Sequence, residues 1–582
     1  MFQTNFHSKR RLARAFLSLL LLASTQAFTL APRQRTNVFR QQAGRDDGDQ
    51  EDTNRYIATC IPGLAPVLAD ELEALGAMDV ETSGQSAVVF HGSPVVGLKS
   101  LLHLRTAHRL MELVASSKEM ISSRDDIHEF IKEFVDVKDL LGDGKGGLLS
   151  ISVSVVLNGR IPADINHSHY TALSIKNALC DVVRDLRGDR PDVDVDNADV
   201  PLVAIVRGFG EGAEISLYRC LHPPGSLHRR GYRGGSVMHK AAMKESMAAG
   251  LLLKSGWGQK CQEAKQTGDS LFLVDPMGGS GSLVLEAAMI AANLSPGLMR
   301  IKCGLPGHQV PPALRWKSGR ELMDTWKTLL QEATENAKEG MQWISRSDQI
   351  EMVVNDIHGG ALEICNASLQ QAGLANTVKL REGDCKDLDL SEKNCFIVTN
   401  PPWGVRLTAD MDESWESLRV LLRSSPPGTE AWVLSGNKGA TKHLGLARSQ
   451  SMVLKTADQD LRWIQYTIRD KSNPRPDAVE GEEKEVEYHQ EERRAEYNQE
   501  ERRAPERRSV RNDFRHQQDR NNFRQDDRRS APQRTGPSGY RARDAAMGRD
   551  GPGRDGPRPL RKGDSKPLTE RQREEKRNSW NI

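Results

Sequence analysis

Two short motifs, whose first residues lie 125 positions apart, constrain this chain more than any other feature: Asp275-Pro276-Met277-Gly278-Gly279-Ser280-Gly281-Ser282 and Asn400-Pro401-Pro402-Trp403. Each follows an apolar run of strand type, Leu271-Phe272-Leu273-Val274 before the first and Phe396-Ile397-Val398-Thr399 before the second. Both therefore belong at the ends of strands, and in open α/β sheets that edge is where ligands bind. The first motif runs into Leu283-Val284-Leu285-Glu286-Ala287-Ala288-Met289-Ile290, a good helix sequence, which gives strand, glycine turn, helix. Glycines permit the tight turn and close approach of a ligand, while the helix start offers unpaired N–H groups. Alone, such a turn is equally an ordinary connection; its pairing with a second strand-end motif points to a nucleotide-type cofactor.

Asn-Pro-Pro-aromatic carries chemistry of its own. An exocyclic amine on a purine is a poor nucleophile because its lone pair is delocalised into the ring. Two acceptors aimed at its N–H bonds, the amide oxygen of Asn400 and the carbonyl of Pro401, would fix the nitrogen with a lone pair directed at a methyl donor. Pro401 and Pro402 stiffen the backbone that holds them. Trp403 offers a flat face for stacking, worth roughly 1–3 kcal/mol per base. Catalysis would then rest on positioning and oriented dipoles, without a strong general base.

Two carboxylates are candidates for the rest of the cofactor site. Asp356 ends the run Ile350-Glu351-Met352-Val353-Val354-Asn355 and is expected to start a helix, where an acidic side chain accepts from ribose hydroxyls. It lies 81 residues beyond Asp275, far past the roughly 20 of a dinucleotide fold, so the stretch from Pro296 to Asp348 reads as an insertion with a helix over Trp326 to Trp343. Asp384 follows the short strand Val378-Lys379-Leu380 and is a candidate for the adenine amine. For either residue a helix N-cap or turn role remains open.

With these residues in view, the chain resembles the THUMP-domain RNA methyltransferases related to the N-terminal half of the bacterial large-subunit methyltransferase K/L, which makes N2-methylguanine in 23S rRNA. The resemblance covers about residues 54 to 468. It rests on Asp275 to Ala288, Asn293-Leu294-Ser295-Pro296-Gly297-Leu298, Asn355-Asp356, Thr399 to Leu407, Lys244-Glu245, and the linker Leu227-His228-Arg229-Arg230-Gly231-Tyr232-Arg233. Gly278 stands where that family usually has Cys, Ser282 where it has Thr, and Trp403 where it has Tyr or Phe. The second methyltransferase half of the fused bacterial enzyme, and with it 7-methylguanine formation, is not expected here.

The resemblance implies a ferredoxin-like subdomain plus a THUMP RNA-binding domain over 54–222, a linker over 223–242, and a Rossmann-like, doubly wound α/β methyltransferase domain with seven strands over 243–468. It further implies S-adenosyl-L-methionine as cofactor, shaped by Asp275, Gly279 and Gly281, with its ribose on Asp356 and its adenine at Asp384. Asn400, Pro401, Pro402 and Trp403 would address the N2 amine of a guanosine in RNA, with large-subunit rRNA as the expected partner. The target nucleotide would have to be flipped out or reached before the RNA folds. Guanine of tRNA, adenine N6, a protein glutamine, and a non-catalytic ribosome-assembly role remain rival readings.

Without the family, 54–222 is a mixed α/β region with strands near 56–60, 87–90, 149–156, 202–206 and 213–217 and helices near 64–75 and 170–186. Arg229, Arg230 and Arg233, with Tyr232, are candidates for RNA backbone contact or for plain surface solvation. Overall charge does not discriminate, with 81 Lys+Arg against 79 Asp+Glu. The eight cysteines include no Cys-x-x-Cys pair, which excludes a zinc ribbon of that spacing, and most fall in apolar runs. No metal site is expected.

The two ends read differently from the middle. Residues 1–53 form a targeting presequence and linker: Lys9, Arg10, Arg11 and Arg14 precede the apolar run Ala15 to Ala23, then come Ser24-Thr25-Gln26-Ala27, Phe28, and a basic stretch to Arg45 with no acidic residue. That order resembles the bipartite plastid presequence of algae with secondary plastids, with another organelle or secretory entry as the alternative; no membrane association of the mature protein is expected. Residues 471–582 carry 28 basic and 23 acidic side chains and few aromatics, so a disordered Arg/Gly-rich tail is expected over 469–582. It would hold RNA loosely or serve only as a solvated extension.

Overall fold

The computed structural model describes residues 53–234, 242–346, 348–390, 395–402, 408–456 and 460–469. The presequence, Trp403 and the tail beyond Arg469 lie outside the described residues.

The N-terminal half runs β1 (Asn54–Thr59), α1 (Ala65–Ala74), β2 (Met78–Thr82), β3 (Ala87–Gly92), α2 (Pro94–His103), β4 (Arg109–Ser116), α3 (Arg124–Phe134), α4 (Val137–Leu141), β5 (Ile151–Arg160), α5 (Ser168–Arg187), β6 (Val200–Phe209) and β7 (Ala213–Cys220). Its strands form one sheet in the order β2-β3-β1-β4-β7-β6-β5. The antiparallel pairing of β4 with β7, Met111 opposite Cys220, merges the ferredoxin-like and THUMP parts into a continuous sheet. β5 and β6 are parallel and joined through α5, a βαβ crossover. α5 ends on Gly188 at φ 82°, a left-handed position that favours glycine, with Arg184 and Arg187 in its last turn. α3 starts on a capping box between Ser123 and Asp126. Strands β2 and β4 and helices α2 and α3 are absent from the sequence reading. β2 has no buried residue to betray it, and α2 mixes β-branched and aliphatic residues without a clean period.

The C-terminal half contains α6 (Glu245–Lys254), α7 (Trp257–Thr267), β8 (Leu271–Asp275), α8 (Ser282–Ala291), α9 (Pro296–Lys302), α10 (Met323–Arg346), β9 (Ile350–Asp356), α11 (Gly359–Ala372), β10 (Lys379–Glu382), β11 (Phe396–Thr399), α12 (Thr408–Ser424), β12 (Glu430–Ser435), α13 (Lys438–His443), β13 (Arg448–Lys455) and β14 (Asp460–Thr467). The sheet order is β10-β9-β8-β11-β12-β14-β13. Five neighbouring strands, β10 to β12, are parallel; β14 is antiparallel to β12. This is the doubly wound α/β sheet expected, and the strand order reverses between β8 and β11, the place where such sheets bind ligands. α8 is apolar except for Ser282 and Glu286 and is buried along nearly its whole length, as a central helix must be. The segment between α8 and β9 is filled by α9 and α10, so the long spacing to Asp356 is extra helix rather than loop. Among the described residues no single helix is long and apolar enough to cross a membrane, and no His/Cys/Asp/Glu group is placed to hold a metal ion.

The linker sits in the core between the two halves. Arg230 is fully buried, its Nε 3.3 Å from Glu286 Oε1 on α8, and its guanidinium also donates to the carbonyls of Leu227 and Arg105. Tyr232 donates to the same Glu286 carboxylate at 3.1 Å. Arg300 on α9, also buried, reaches the carbonyls of Leu227 at 3.0 Å and Leu101 at 2.9 Å. Arg233 donates to Ser282 Oγ and to the Met243 carbonyl. Of the four linker residues offered to RNA, Arg230, Arg233 and Tyr232 are therefore inside the protein, and only Arg229 is exposed. Charge type in the sequence does not reveal this, because the neutralising Glu286 lies 56 residues away.

Candidate active site

The glycine turn is held by two hydrogen bonds to its neighbour β9 and one within itself. Gly278 N–H donates to the Asn355 carbonyl at 2.9 Å, Gly279 N–H to Asp356 Oδ2 at 2.8 Å, and Gly281 N–H to the Gly278 carbonyl at 2.8 Å. Gly279 (φ 54°) and Gly281 (φ 79°) occupy left-handed backbone. A Cβ on Gly279 would meet nothing within 4 Å, so the turn has open space above it, whereas one on Gly281 would lie 2.2 Å from Cys365 Sγ. Gly281 is thus required for packing, and Gly279 keeps the ligand side clear. At Gly278, a Cβ would fall 2.2 Å from Val354 Cγ2: in this chain Val354 takes the space that a side chain at 278 would need.

Asp275, the last residue of β8, is buried, and its Oδ1 accepts from Met277 N–H at 3.4 Å. Burial raises its carboxyl to about 8, with Asp356 adding to the rise and the Met277 N–H opposing it. A cation brought to this turn would restore the ionised form.

Asp356 is the last residue of β9, not the first of a helix; α11 starts at Gly359. Its other oxygen, Oδ1, accepts from His358 N–H at 2.9 Å. Two backbone donors thus fix the carboxylate, which has further lone pairs for hydroxyls. Asp384 caps the short 3₁₀ turn Cys385–Asp387, taking Lys386 N–H at 3.1 Å, Lys386 Nζ at 2.7 Å and Ser417 Oγ at 3.1 Å. Burial pushes its carboxyl up, but the Lys386 and Ser417 bonds outweigh this and leave it below the usual range. The capping role left open for Asp384 is the one the structure places there.

Three residues were given no role at the site by the sequence. Asn355 is buried, and its Nδ2 donates to the carbonyls of Pro276 at 3.1 Å and Gly383 at 2.9 Å, tying the glycine turn to the loop after β10; its Oδ1 has no protein partner. Trp415 on α12 is fully buried, and its Nε1 donates to the Pro402 carbonyl at 2.8 Å. Ser417, one half-turn on, holds Asp384, so one helix anchors both loops. Only the adjacency of Asn355 to Asp356 was visible beforehand; the other two act across 13 and 33 residues.

Asn400 follows β11 directly and is half-buried; Pro401 is buried and Pro402 exposed. β11 lies beside β8, Phe396 opposite Leu273 and Ile397 opposite Val274. Asn400 and Asp275 thus leave adjacent parallel strands at the same edge, on either side of the switch point. An open glycine turn, a buried carboxylate short of a cation, and an orphaned amide oxygen fit a cationic nucleoside cofactor such as S-adenosylmethionine.

Matches to known families follow the same division of the chain. Residues 55–111 match the RlmL ferredoxin-like domain, 125–210 the THUMP domain, and 230–455 the RMKL-like methyltransferase domain. In order, the chain thus carries matches to a ferredoxin-like, a THUMP and an RMKL-like methyltransferase domain. The Ribosomal RNA large subunit methyltransferase K/L of Syntrophotalea carbinolica is 31% identical over 425 residues, 72% of this chain and 54% of that protein. A Synechocystis protein named as an RNA methyltransferase is 28% identical over 421 residues, 72% of this chain and 97% of its own length. The chain spans about half the length of the K/L relatives it matches. A crystal structure of a methyltransferase with bound SAH shares the fold, with TM-score 0.58 and 20% identity, over 72% of this chain and 100% of that one.

Proposed function

We propose that this protein transfers the methyl group of S-adenosylmethionine to the exocyclic N2 of a guanosine in RNA, and that large-subunit ribosomal RNA is the substrate. The observation that carries this is the placement of Asn400-Pro401-Pro402 beside the Asp275 turn on adjacent parallel strands, with Trp415 pinning the Pro402 carbonyl. The bound cofactor supplies an electrophilic methyl on a positively charged sulfur. Asp275 and the Gly279–Gly281 turn would hold it, and Asp356, fixed by two backbone N–H groups, would take the ribose hydroxyls. Asp384 would remain the candidate nearest the adenine. Asn400 and the Pro401 carbonyl would fix the two N–H bonds of the amine, and Trp403 would stack on the base.

The THUMP match and the named function of the K/L relatives support RNA as the substrate class. We assign the work to the plastid on the strength of the signal-like run Ala15 to Ala23 followed by Phe28 and an acid-free basic stretch, and we assign loose phosphate contacts to the Arg-rich tail. The test is transfer of labelled methyl by the full chain to protein-free large-subunit rRNA, tRNA and duplex DNA in parallel. Label in rRNA is expected. Label in tRNA alone would keep the chemistry and move the substrate, and cofactor binding without transfer to any of them would favour an assembly role.

A further inference from the structure

Asp384 leaves β10 at the edge of the sheet where Asp356 ends β9. The two strands are parallel with Glu382 opposite Asp356, and Gly383 N–H donates to the Asp356 carbonyl at 3.1 Å. A Cβ on Gly383 would meet nothing within 4 Å, so space stands open beside Asp384. Burial raises the Asp384 carboxyl, but the bonds from Lys386 and Ser417 hold it below the usual range. At neutral pH the group therefore only accepts. Its Oδ1 takes the Lys386 N–H, and its Oδ2 takes both Lys386 Nζ and the Ser417 hydroxyl. A carboxylate has about four lone-pair sites, so one is left, and it is on Oδ1.

The two side chains on Oδ2 differ in kind. The Lys386 side chain is 44% exposed on a long flexible stem. Ser417 is buried on α12, whose Trp415, Leu418, Leu421 and Leu422 pack in one core with Cys385 and Leu388 around the turn that Asp384 caps. A helix serine commonly returns its hydroxyl to a carbonyl three or four residues back. Ser424 and Ser425, at the end of this helix, do so, both donating to the Leu421 carbonyl at 3.0 and 2.8 Å. Ser417 instead gives its one hydroxyl proton to a carboxylate 33 residues away in sequence.

We infer that Ser417 is a positioning residue for cofactor selectivity: from α12 it fixes the Asp384 carboxylate in one orientation, with a single Oδ1 position presented to the exocyclic amine of the cofactor's adenine. The inference rests on the placement of the adenine at Asp384 in the reading above and adds the residue that makes this carboxylate discriminate. An adenine amine brings an N–H to the open position. A hypoxanthine ring puts a carbonyl oxygen where that amine stood and carries its N–H at the neighbouring ring nitrogen, N1. A fixed carboxylate repels the oxygen, whereas one free to turn reaches the N1–H.

The test titrates the full chain calorimetrically with S-adenosylhomocysteine and S-inosylhomocysteine, which differ only at that edge of the ring. The parent should prefer the adenosyl compound by roughly tenfold or more, the scale of a hydrogen bond to a charged group. Ser417→Ala should bind both compounds and narrow the preference to within about threefold. Ser417→Thr, which keeps the hydroxyl, should retain the parent's preference, and so should Trp415→Phe, which disturbs the same helix but leaves Ser417 in place. If the parent discriminates and the two affinities of Ser417→Ala fall together or do not change, the inference is overturned and the adenine stays at Asp384. Equal binding of the two compounds by the parent would overturn that placement and the inference with it.

Discussion

The carboxylate of Asp356 accepts a hydrogen bond from the backbone N–H of Gly279 at 2.8 Å, so the group expected to receive the cofactor's ribose also shapes the turn that receives the rest of it. Asp356→Ala removes both functions at once. It should weaken S-adenosylmethionine by roughly tenfold or more, the scale of a charge-assisted hydrogen bond. Asp356→Asn, which keeps an acceptor for Gly279, should lose less. Calorimetric titration of the cofactor into the two variants distinguishes them.

Asp275 makes the stability of the cofactor-free chain pH-dependent. Burial pushes its folded-state carboxyl up to about 8 from the ordinary 3.8 of an exposed aspartate, so between those limits the unfolded chain gives up this proton first. Rising pH therefore costs stability through this group over that window and has no further effect above it. Melting curves should show a fall from about pH 4 to about 8 that is shallower in Asp275→Asn. The cationic cofactor should reverse the trend in the parent, binding more tightly as pH rises through 8.

Trp415 and Pro402 predict a separation of binding from chemistry. Trp415→Phe keeps a buried ring and loses the bond to the Pro402 carbonyl. The catalytic turn should then drift, lowering kcat by up to roughly a hundredfold, while cofactor affinity stays near that of the parent because β8 and β9 are untouched. Single-turnover methylation alongside cofactor titration measures both.

The strand ends and their motifs were legible because each is local: an apolar run, then Asp275 with its glycines or Asn400 with its prolines. The seven-stranded doubly wound sheet was inferred from family resemblance, and the strand order could not be read from any one segment. Asn355, Trp415 and Ser417 were not legible as site residues because each acts through a contact set by tertiary packing. The linker arginines misled for the same reason, since Glu286 on α8 neutralises Arg230 inside the core. Asp356 illustrates the intermediate case: its strand was found, but the turn before α11 shifts it from helix start to strand end.

Gly278 and Val354 offer a packing test. Gly278→Cys should cost about 1–3 kcal/mol through overpacking against Val354, and Val354→Ala should recover part of that loss in the double variant although it is destabilising alone. Chemical denaturation of the four proteins in the cycle gives the coupling.

Arg230 should behave as a structural residue. Arg230→Met leaves Glu286 buried without its guanidinium partner, with only the Tyr232 hydroxyl still donating to it, and should destabilise the fold by about 3–5 kcal/mol, whereas Arg230→Met/Glu286→Leu should cost less. Arg229→Ala, at the exposed neighbour, should leave the melting temperature unchanged.

The most direct test of the account is analysis of the nucleoside made when the full chain methylates protein-free large-subunit rRNA, with Asn400→Ala as its partner. N2-methylguanosine from the parent and none from Asn400→Ala, with cofactor affinity equal in both, is the expected result. Equal product from the two proteins, or a methylated base lacking an exocyclic methylamine, would contradict the assignment of Asn400 and the chemistry built on it.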